Sequence, residues 1–170
     1  MRSIDDEKTV VAIDKITADD ARRISQSLVE FNASSVPFTQ EKPFENVGFS
    51  IRNENGELIG GILGTVYCWN CLSVEALWIK DECRGQGLGT QLLTTLEDEA
   101  RSMGCHLAHL DTFDFQAKAF YEKRGYSVFG RLDDCPEGHT RYYLKKSLTT
   151  DQRRRSEPAR TAPCRRLCRL

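Results

Sequence analysis

The chain has 170 residues, of which 39% are hydrophobic and 29% are charged, and its net charge at pH 7 is −1. This length and composition suit one globular domain with a sizeable core and require no second domain. No apolar run approaches the length of a signal-peptide core or a membrane span, so we expect a cytoplasmic protein with no membrane partner.

The charge is distributed unevenly along the chain. Residues 149–170 contain seven arginines and two acids, a balance of +5, which leaves −6 on residues 1–148. An acidic body suits a cationic substrate better than a nucleic acid. We therefore expect one domain over residues 1–148 and a basic, disordered tail over residues 149–170. The alternatives for the tail are an arm that binds nucleic acid or another anionic partner, and an extension with no role.

The seven cysteines are odd in number and lack the spacing of a disulfide scaffold, so reduced thiols are expected. Cys68 and Cys71 have CxxC spacing but no second ligand pair, which disfavours a zinc or redox site. His106 and His109 lie three apart in a predicted strand and would point to opposite faces. The sequence therefore predicts no bound metal.

The first predicted elements are a strand over Thr9–Ile13 and a helix capped by Thr17, with Asp20 at its third position. The apolar stripe of this helix consists of Ile24, Leu28 and Phe31. The segment Asn32–Pro43 then breaks the pattern.

A β-hairpin is predicted next, because Gly48–Arg52 and Leu58–Cys68 flank an Asn-Gly turn signal. Three glycines in the second arm indicate a bulge or a close backbone approach: Gly60, Gly61 and Gly64. The following strand is Leu72–Ile79. If it is regular, Val74, Ala76 and Trp78 face one way and Glu75, Leu77 and Ile79 the other.

A glycine-rich loop, Arg84–Gly89, follows this strand and leads into an amphipathic helix. Alternate glycines allow a tight turn that leaves amide N–H groups uncovered, and the helix start adds unpaired donors and a positive dipole end. The loop therefore predicts a diphosphate-binding site. It lacks the Lys-Ser or Lys-Thr of a Walker loop, and Thr90 stands where a dinucleotide-binding turn needs its third glycine. A simple helix-entry loop remains an alternative.

The helix after the loop has one apolar stripe and one charged face. The stripe comprises Leu88, Leu92, Leu93, Leu96, Ala100 and Met103, with Glu97, Asp98, Glu99 and Arg101 outside it. Gly104 is expected to end the helix, and Cys105–Asp111 to complete a strand–helix–strand unit. Phe115–Arg124 predicts a shorter helix closed by Gly125. The last predicted strands are Tyr126–Leu132 and Arg141–Leu144.

Two motifs resemble signatures of the GNAT superfamily of acetyl-coenzyme A-dependent N-acetyltransferases. Arg84, Gly87 and Gly89 match the fixed positions of its pyrophosphate-binding motif, Q/R-x-x-G-x-G/A. Phe115–Tyr126 is similar to its stretch N-x-x-A-x-x-F-Y-x-K-x-G-F, with Tyr126 in place of the last phenylalanine.

The resemblance covers residues 9–146 and implies an α+β chain with the GNAT fold. That fold has a central mixed, mostly antiparallel twisted sheet flanked by helices, with a βαβ core that binds coenzyme A.

The resemblance also implies a site for acetyl-coenzyme A as co-substrate. The pyrophosphate would be bound, chiefly by backbone N–H groups, at Arg84, Gly85, Gln86, Gly87, Leu88, Gly89 and Thr90. The pantetheine arm and the thioester oxygen would be bound by the backbone of a splayed strand, at Leu77, Trp78 and Ile79. The family's pantetheine-binding asparagine has no clear match, and Asp114 or Gln116 is the nearest polar substitute. Lys123 or Arg124 could reach the 3′-phosphate, although a solvated helix face explains both equally well.

Two residues are expected to move protons. Tyr121 matches the family's general acid, which protonates the departing coenzyme thiolate; a buried tyrosine bonded to backbone is the alternative. Glu75 interrupts an apolar strand where several members place an acid, and a carboxylate among apolar neighbours is suited to take a proton directly or through water. A solvated or salt-bridged glutamate is the alternative. Cys83 adjoins the loop, but no histidine is near it in sequence, which disfavours an acyl-enzyme route.

The expected function is acetyl transfer from acetyl-coenzyme A to a primary amine of a small cationic acceptor, by direct attack in a ternary complex. The alternatives are a protein or peptide amine as acceptor, and a non-catalytic module that binds coenzyme A. A homodimer is one option for assembly. Nucleic acid is expected as a partner only through the arginine-rich tail, if at all.

Overall fold

The structure is a computed structural model that describes residues 13–149. The expected first strand, apart from Ile13, and the expected tail, apart from Thr149, lie outside these residues. The chain divides after Pro37 into two compact units. Within residues 13–149, no helix combines the length and the apolar character needed to cross a bilayer.

The first unit contains helix α1, Ala18–Ser35. Thr17 caps its N-terminus, since its side-chain oxygen accepts a hydrogen bond from the backbone N–H of Asp20 at 3.1 Å. The predicted helix start is therefore confirmed. The helix runs further into Asn32–Pro43 than the sequence indicated, and it ends where Val36 donates its N–H to the carbonyl of Asn32.

The second unit contains one six-stranded sheet. In chain order its strands are β1 (Phe44–Arg52), β2 (Leu58–Tyr67), β3 (Cys71–Ile79), β4 (Leu107–Phe113), β5 (Ser127–Asp133) and β6 (Thr140–Ser147). The spatial order is β1-β2-β3-β4-β6-β5, in which β3 and β4 are parallel and all other neighbours are antiparallel. The helices of this unit are a 3₁₀ turn at Asp81–Cys83, α2 (Leu88–Ser102) and α3 (Lys118–Glu122). The prediction of a mixed, mostly antiparallel α+β sheet with a βαβ unit, β3–α2–β4, is confirmed.

The predicted hairpin forms from β1 and β2. Asn53 holds its turn, because its side-chain oxygen accepts the N–H groups of Asn55 at 3.1 Å and Glu57 at 2.9 Å. Gly56 has a φ of +78°, a conformation that glycine adopts at little cost.

Glycines in β2 bring that strand close to β3, as predicted. A Cβ atom on Gly64 would lie 2.8 Å from the carbonyl oxygen of Ser73. The pairing register also slips here: Leu63 pairs with Ala76 and Gly64 with Val74, so Glu75 has no partner in β2. Strand β3 therefore has a β-bulge at Glu75.

The bulge overturns one prediction. Leu72 and Val74 are buried in the core, and Leu77 and Ile79 pack against the same core. The expectation that Val74 faces away from Leu77 and Ile79 is therefore wrong. The extra residue shifts the two-residue alternation by one position, so the side chains before and after it share a face.

The core lies between α2 and the sheet. Its fully buried large side chains are Ile62, Val66, Leu72, Leu93, Leu96 and Leu144. Glu97, which was expected on the outer face of α2, is only 3% exposed. Its Oε2 accepts hydrogen bonds from Lys146 at 2.6 Å and Arg101 at 3.1 Å, so β6 covers this flank and supplies the counter-charge.

The last helix is shorter than Phe115–Arg124. The residues before Lys118 form a turn instead, in which the side-chain oxygen of Gln116 accepts the N–H of Phe113 at 3.1 Å. Gly125, with a φ of +87°, follows the helix end as predicted.

Candidate active site

A cleft opens where β3 and β4 separate. Their parallel pairing extends only over Cys71–Val74 and Leu107–Leu110. Beyond this point β3 stays with β2, whereas β4 stays with β6. The gap continues into a cleft of about 870 Å³. Its walls are residues 74–79 of β3, most of the glycine loop with the start of α2, the end of β4, and one face of α3.

The loop after β3 presents a run of free backbone donors at the cleft. No group within residues 13–149 accepts a hydrogen bond from the N–H of Gly85, Gln86, Gly87, Leu88 or Gly89. Gly87 is the N-cap of α2 at a φ of +82°, and Gly85 has a φ of +77°. A Cβ at either glycine would meet nothing within 4 Å, so glycine is needed for the backbone conformation rather than for space. Consecutive free N–H groups at a helix start fit a diphosphate.

The two long side chains of the loop form hydrogen bonds with protein groups. The Nε of Arg84 donates to the carbonyl of Ile79 at 3.2 Å, and its guanidinium pairs with Asp81 at 2.8 Å. Gln86 donates to the carbonyl of Glu82 at 3.3 Å and does not line the cleft. These bonds tie the loop to the end of β3 and leave the backbone free for a ligand.

The open half of β3 contributes its backbone edge. Leu77, Trp78 and Ile79 all line the cleft, and no strand within residues 13–149 pairs with this part of β3 on its β4 side. Unpaired strand edges are ready hydrogen-bonding surfaces for an extended ligand.

Tyr121 lies in the wall of the cleft and is only 7% exposed. Its ring packs edge-on against Phe120 and Tyr126. Its hydroxyl forms no hydrogen bond with any group in residues 13–149. Burial, and then the nearby carboxylate of Asp111, raises the pKa of Tyr121. The phenol is therefore protonated at neutral pH and has a proton to donate into the cleft.

Glu75 lines the cleft from the β-bulge. The hydroxyl of Thr65 donates to its Oε1 at 2.6 Å, and the same hydroxyl lies 3.1 Å from the side-chain oxygen of Asn46. Glu75 is exposed, so the expectation that it sits among apolar neighbours is wrong. Because of the bulge, the side chain of Glu75 does not follow the alternation of apolar side chains along β3. Its carboxylate is held by Thr65 and is accessible to water.

Of the two candidates for the missing asparagine, Gln116 lines the cleft and Asp114 does not. Asp114 instead bonds His139 and the N–H of Thr140. The side-chain oxygen of Gln116 is occupied within its own turn, by Phe113 and by the hydroxyl of Thr112. Its amide NH₂ group remains for a ligand.

The sequence reasoning missed Asp111 as a residue of the site. Asp111 is the first residue after the end of the β3–β4 pairing, lines the cleft, and accepts a 2.7 Å hydrogen bond from Arg141. The only sequence signal for it was an acid at the end of the apolar strand Cys105–Asp111. Its partner lies on β6, so the pair could not be read from local spacing.

Other chemistries find little support here. Cys83 lines the cleft, but none of the three histidines does, so no imidazole is available to activate its thiol. Burial raises the pKa of the Cys68 and Cys71 thiols, which disfavours the thiolate that metal binding requires. Within residues 13–149, no three His, Cys, Asp or Glu side chains are arranged to hold a metal ion.

Comparisons with known proteins identify the family of the chain. The sequence model of the Acetyltransferase (GNAT) family matches residues 15–126. The blasticidin-S acetyltransferase of Streptomyces morookaense is 38% identical over 66% of this chain and 82% of its own. An acetyltransferase of Agrobacterium fabrum is 31% identical over 80% of this chain and 96% of its own.

Solved structures give the same result. The crystal structure of an acetyltransferase from Bacillus cereus superposes with a TM-score of 0.75, at 34% identity over 81% of this chain and 97% of its own. The chain belongs to the GNAT family and is an acyl-coenzyme A-dependent N-acyltransferase.

Proposed function

We propose that the protein transfers an acetyl group from acetyl-coenzyme A to a primary amine of a small cationic molecule, by direct attack in a ternary complex. One observation carries the proposal. A single cleft combines a run of N–H donors with an oriented carboxylate, Glu75, and the protonated phenol of Tyr121, and within residues 13–149 neither these N–H groups nor the phenol forms a hydrogen bond. These are the groups that amine acylation by a thioester carried on a diphosphate requires.

The loop at Gly85–Gly89 would hold the pyrophosphate of the coenzyme through its free N–H groups. The open edge of β3, at Leu77–Ile79, would bind the pantetheine arm and supply an N–H to the thioester oxygen. Gln116 lines the cleft from the β4 side, and its NH₂ group would donate to the same arm. When bound, the coenzyme supplies an acetyl group activated as a thioester.

Glu75 would accept the proton of the incoming amine. An alkylamine is mostly ammonium near pH 7, so it must lose a proton before it can attack a carbonyl carbon. The hydroxyl of Thr65 fixes one carboxylate oxygen of Glu75, and the exposed position of the residue admits a bridging water. The proton could pass directly or through that water.

Tyr121 would donate a proton to the sulfur of the departing coenzyme. The hydroxyl has no competing hydrogen bond in the described part of the chain, and the raised pKa keeps it protonated. A thiol leaves more readily than a thiolate that has to be stabilised in an apolar wall.

Charge favours a cationic acceptor. Residues 1–148 carry a net charge of −6, and two carboxylates stand at the point where β3 and β4 part: Asp111, which is paired with Arg141, and Glu75, which forms no ion pair within residues 13–149. The name of the Streptomyces relative, an acetyltransferase for blasticidin-S, supports a small molecule as the acceptor. A protein or peptide amine is the second candidate, because the carboxylates lie at an open cleft.

A screen of amines that follows free thiol release from acetyl-coenzyme A tests the proposal. We expect turnover with small polycationic amines and little with neutral amines or peptides. Preferential turnover of peptides would contradict the acceptor class. If coenzyme A binds but no amine is acetylated, the protein is a non-catalytic coenzyme A-binding module. Turnover that is unchanged in Glu75→Gln would remove the base assignment.

A further inference from the structure

Arg124 is held rigidly at the end of the cleft where α3 meets the first turn of α2. Its Nε donates to the hydroxyl oxygen of Thr90 at 3.0 Å, and its Nη2 donates to the same oxygen. Its Nη1 donates to the carbonyl of Phe120 at 2.7 Å. The guanidinium lies over the Phe120 ring, 3.5 Å from the centroid. A stacked guanidinium with three fixed hydrogen bonds has little rotamer freedom to lose when it binds a ligand.

The charge of Arg124 has no counter-ion among residues 13–149. The side chain is half-buried and lines the cleft, yet no carboxylate within residues 13–149 forms an ion pair with it. Both of its partners are neutral oxygens. The other arginines that line or flank the cleft are paired, Arg84 with Asp81 and Arg141 with Asp111. A partly desolvated cation without a counter-ion favours an anion beside it.

Arg124 lies beside the glycine loop, through its bond to Thr90. Thr90, its partner, is the third residue of α2 and directly follows the run of free N–H groups at Gly85–Gly89. A guanidinium has five N–H donors, and three are used here, which leaves two for a further acceptor. Phosphate oxygens are good acceptors for this geometry.

We propose that Arg124 binds the pyrophosphate of the coenzyme from the α3 side, opposite the backbone donors of the glycine loop. The inference rests on the proposed use of that loop by acetyl-coenzyme A, and it assigns the charge contact to the side chain of Arg124. The contact with Arg124 would also make the protein selective for acyl donors that carry a diphosphate. The neighbouring cation, Lys123, is the competing candidate that the test must exclude. Lys123 is exposed and does not line the cleft, so we expect it to make no contact with the pyrophosphate.

Calorimetry on the full chain with three probes tests the inference: coenzyme A, 3′-dephospho-coenzyme A and pantetheine. In Arg124→Gln, which keeps a polar side chain without the charge, we expect affinity for coenzyme A and for its 3′-dephospho form to fall roughly 10- to 100-fold, as for a lost charge-assisted hydrogen bond. The affinity for pantetheine should change less than about twofold, since pantetheine has no phosphate for Arg124 to bind. Arg124→Lys should recover part of the lost affinity, because lysine keeps the positive charge but lacks the planar set of N–H donors of the guanidinium.

Two control variants complete the design. Arg52→Gln removes the same charge at the β1–β2 turn, where the guanidinium bonds the neutral carbonyl of Gly56 and no carboxylate of residues 13–149. Neither this variant nor Lys123→Gln should alter coenzyme affinity. Thermal unfolding of each variant checks that it is folded.

The outcomes separate this inference from the proposed function. If the wild-type protein is folded but binds no coenzyme A, the proposed function fails. If it binds coenzyme A and Arg124→Gln binds equally well, only the role of Arg124 is overturned. A loss with coenzyme A but not with the 3′-dephospho form would assign Arg124 to the 3′-phosphate and contradict the proposal. An equal loss with pantetheine would show that Arg124 acts only by holding Phe120 and Thr90 in place.

Discussion

The two halves of strand β3 differ in their neighbours. Over Cys71–Val74 the strand is paired with β2 on one side and β4 on the other, whereas over Glu75–Ile79 its β4 side is open. Leu72 in the closed half is fully buried. Every residue of the open half lines the cleft. One strand thus serves as core where its parallel neighbour runs alongside and as a binding surface where that neighbour departs.

The change of role coincides with an irregularity in the backbone. Glu75, the bulge residue, is the first residue after the closed half, and Asp111 is the first residue beyond the pairing on β4. The bulge directs a carboxylate towards the cleft while Leu77 and Ile79 continue to pack on the core. The open half therefore presents a carboxylate to the cleft and still packs against the core.

The largest effect is expected at the open end, from Tyr121→Phe. Loss of the proposed general acid should lower kcat about 100- to 10,000-fold, while coenzyme affinity changes little. The measurement is steady-state kinetics with the best acceptor from the amine screen. Tyr126→Phe is the matched control, because Tyr126 is also a buried tyrosine, but its hydroxyl lies near the carboxylate of Glu97 and the residue does not line the cleft. Similar kcat losses in both variants would refute the acid role.

At the closed end we expect a loss of stability instead of a loss of kcat. The change in the free energy of unfolding should be similar in size to the change in activation free energy at the open end. Leu72→Ala removes a fully buried side chain between β3 and α2 and should lower the free energy of unfolding by about 2–5 kcal/mol. Leu63→Ala, at a side chain that is 58% exposed, should cost at most roughly 0.5 kcal/mol. Urea unfolding measures both. The folded fraction of Leu72→Ala should retain kcat, and a large loss of kcat in that fraction would show that the two halves are not separable.

A third prediction concerns the glycine loop. Gly87→Ala and Gly56→Ala each place a Cβ at a φ near +80° with no neighbour within 4 Å, so each should destabilise the fold by about 1–2 kcal/mol. Only Gly87→Ala should also weaken coenzyme A binding, by about tenfold, since a shifted loop loses one or two backbone hydrogen bonds. Calorimetry and urea unfolding on both variants check this. Equal coenzyme affinities would mean that the loop does not hold the phosphates.

Features with local signals could be predicted from the sequence. The cap at Thr17, the Asn-Gly turn and the helix end at Gly104 depend on residues a few positions apart, and the structure has all three. The strand–glycine loop–helix–strand order was recognisable for the same reason, because glycines at alternate positions constrain their own backbone.

Features that depend on distant partners could not be predicted. Alternation along β3 cannot reveal a bulge, since the bulge is defined by the register with β2. Glu97 looked solvent-facing on its helix, but Lys146 from β6 covers it. The bond between Arg124 and Thr90 likewise joins the turn after α3 to the first turn of α2. The sequence therefore predicted the conformation of the glycine loop well and the surroundings of Glu75 poorly.

The smallest effect is expected from His109, which pairs with Ser73 in the closed half of the ladder. Its Nε2 lies 2.8 Å from the hydroxyl of Tyr67. Burial lowers the pKa of His109, and the carboxylate of Asp111 opposes the shift only in part. Because the folded state disfavours the charged imidazole, His109 contributes stability that is complete above its unfolded pKa of about 6.5 and is lost as the pH falls through the lower folded value.

Urea unfolding between pH 5 and pH 8 measures this contribution. In His109→Gln the amide can still bond the hydroxyl of Tyr67 but cannot titrate, so its stability should fall less at acid pH than that of the wild type. His106→Gln, at an exposed position of the same segment, should keep the wild-type dependence. If the free energy of unfolding of His109→Gln falls at acid pH as much as that of the wild type, this loss of stability comes from other groups. His109 does not line the cleft, so kcat per folded molecule should be equal in both variants. The pH dependence of stability in the closed half can therefore be separated from the pH dependence of catalysis.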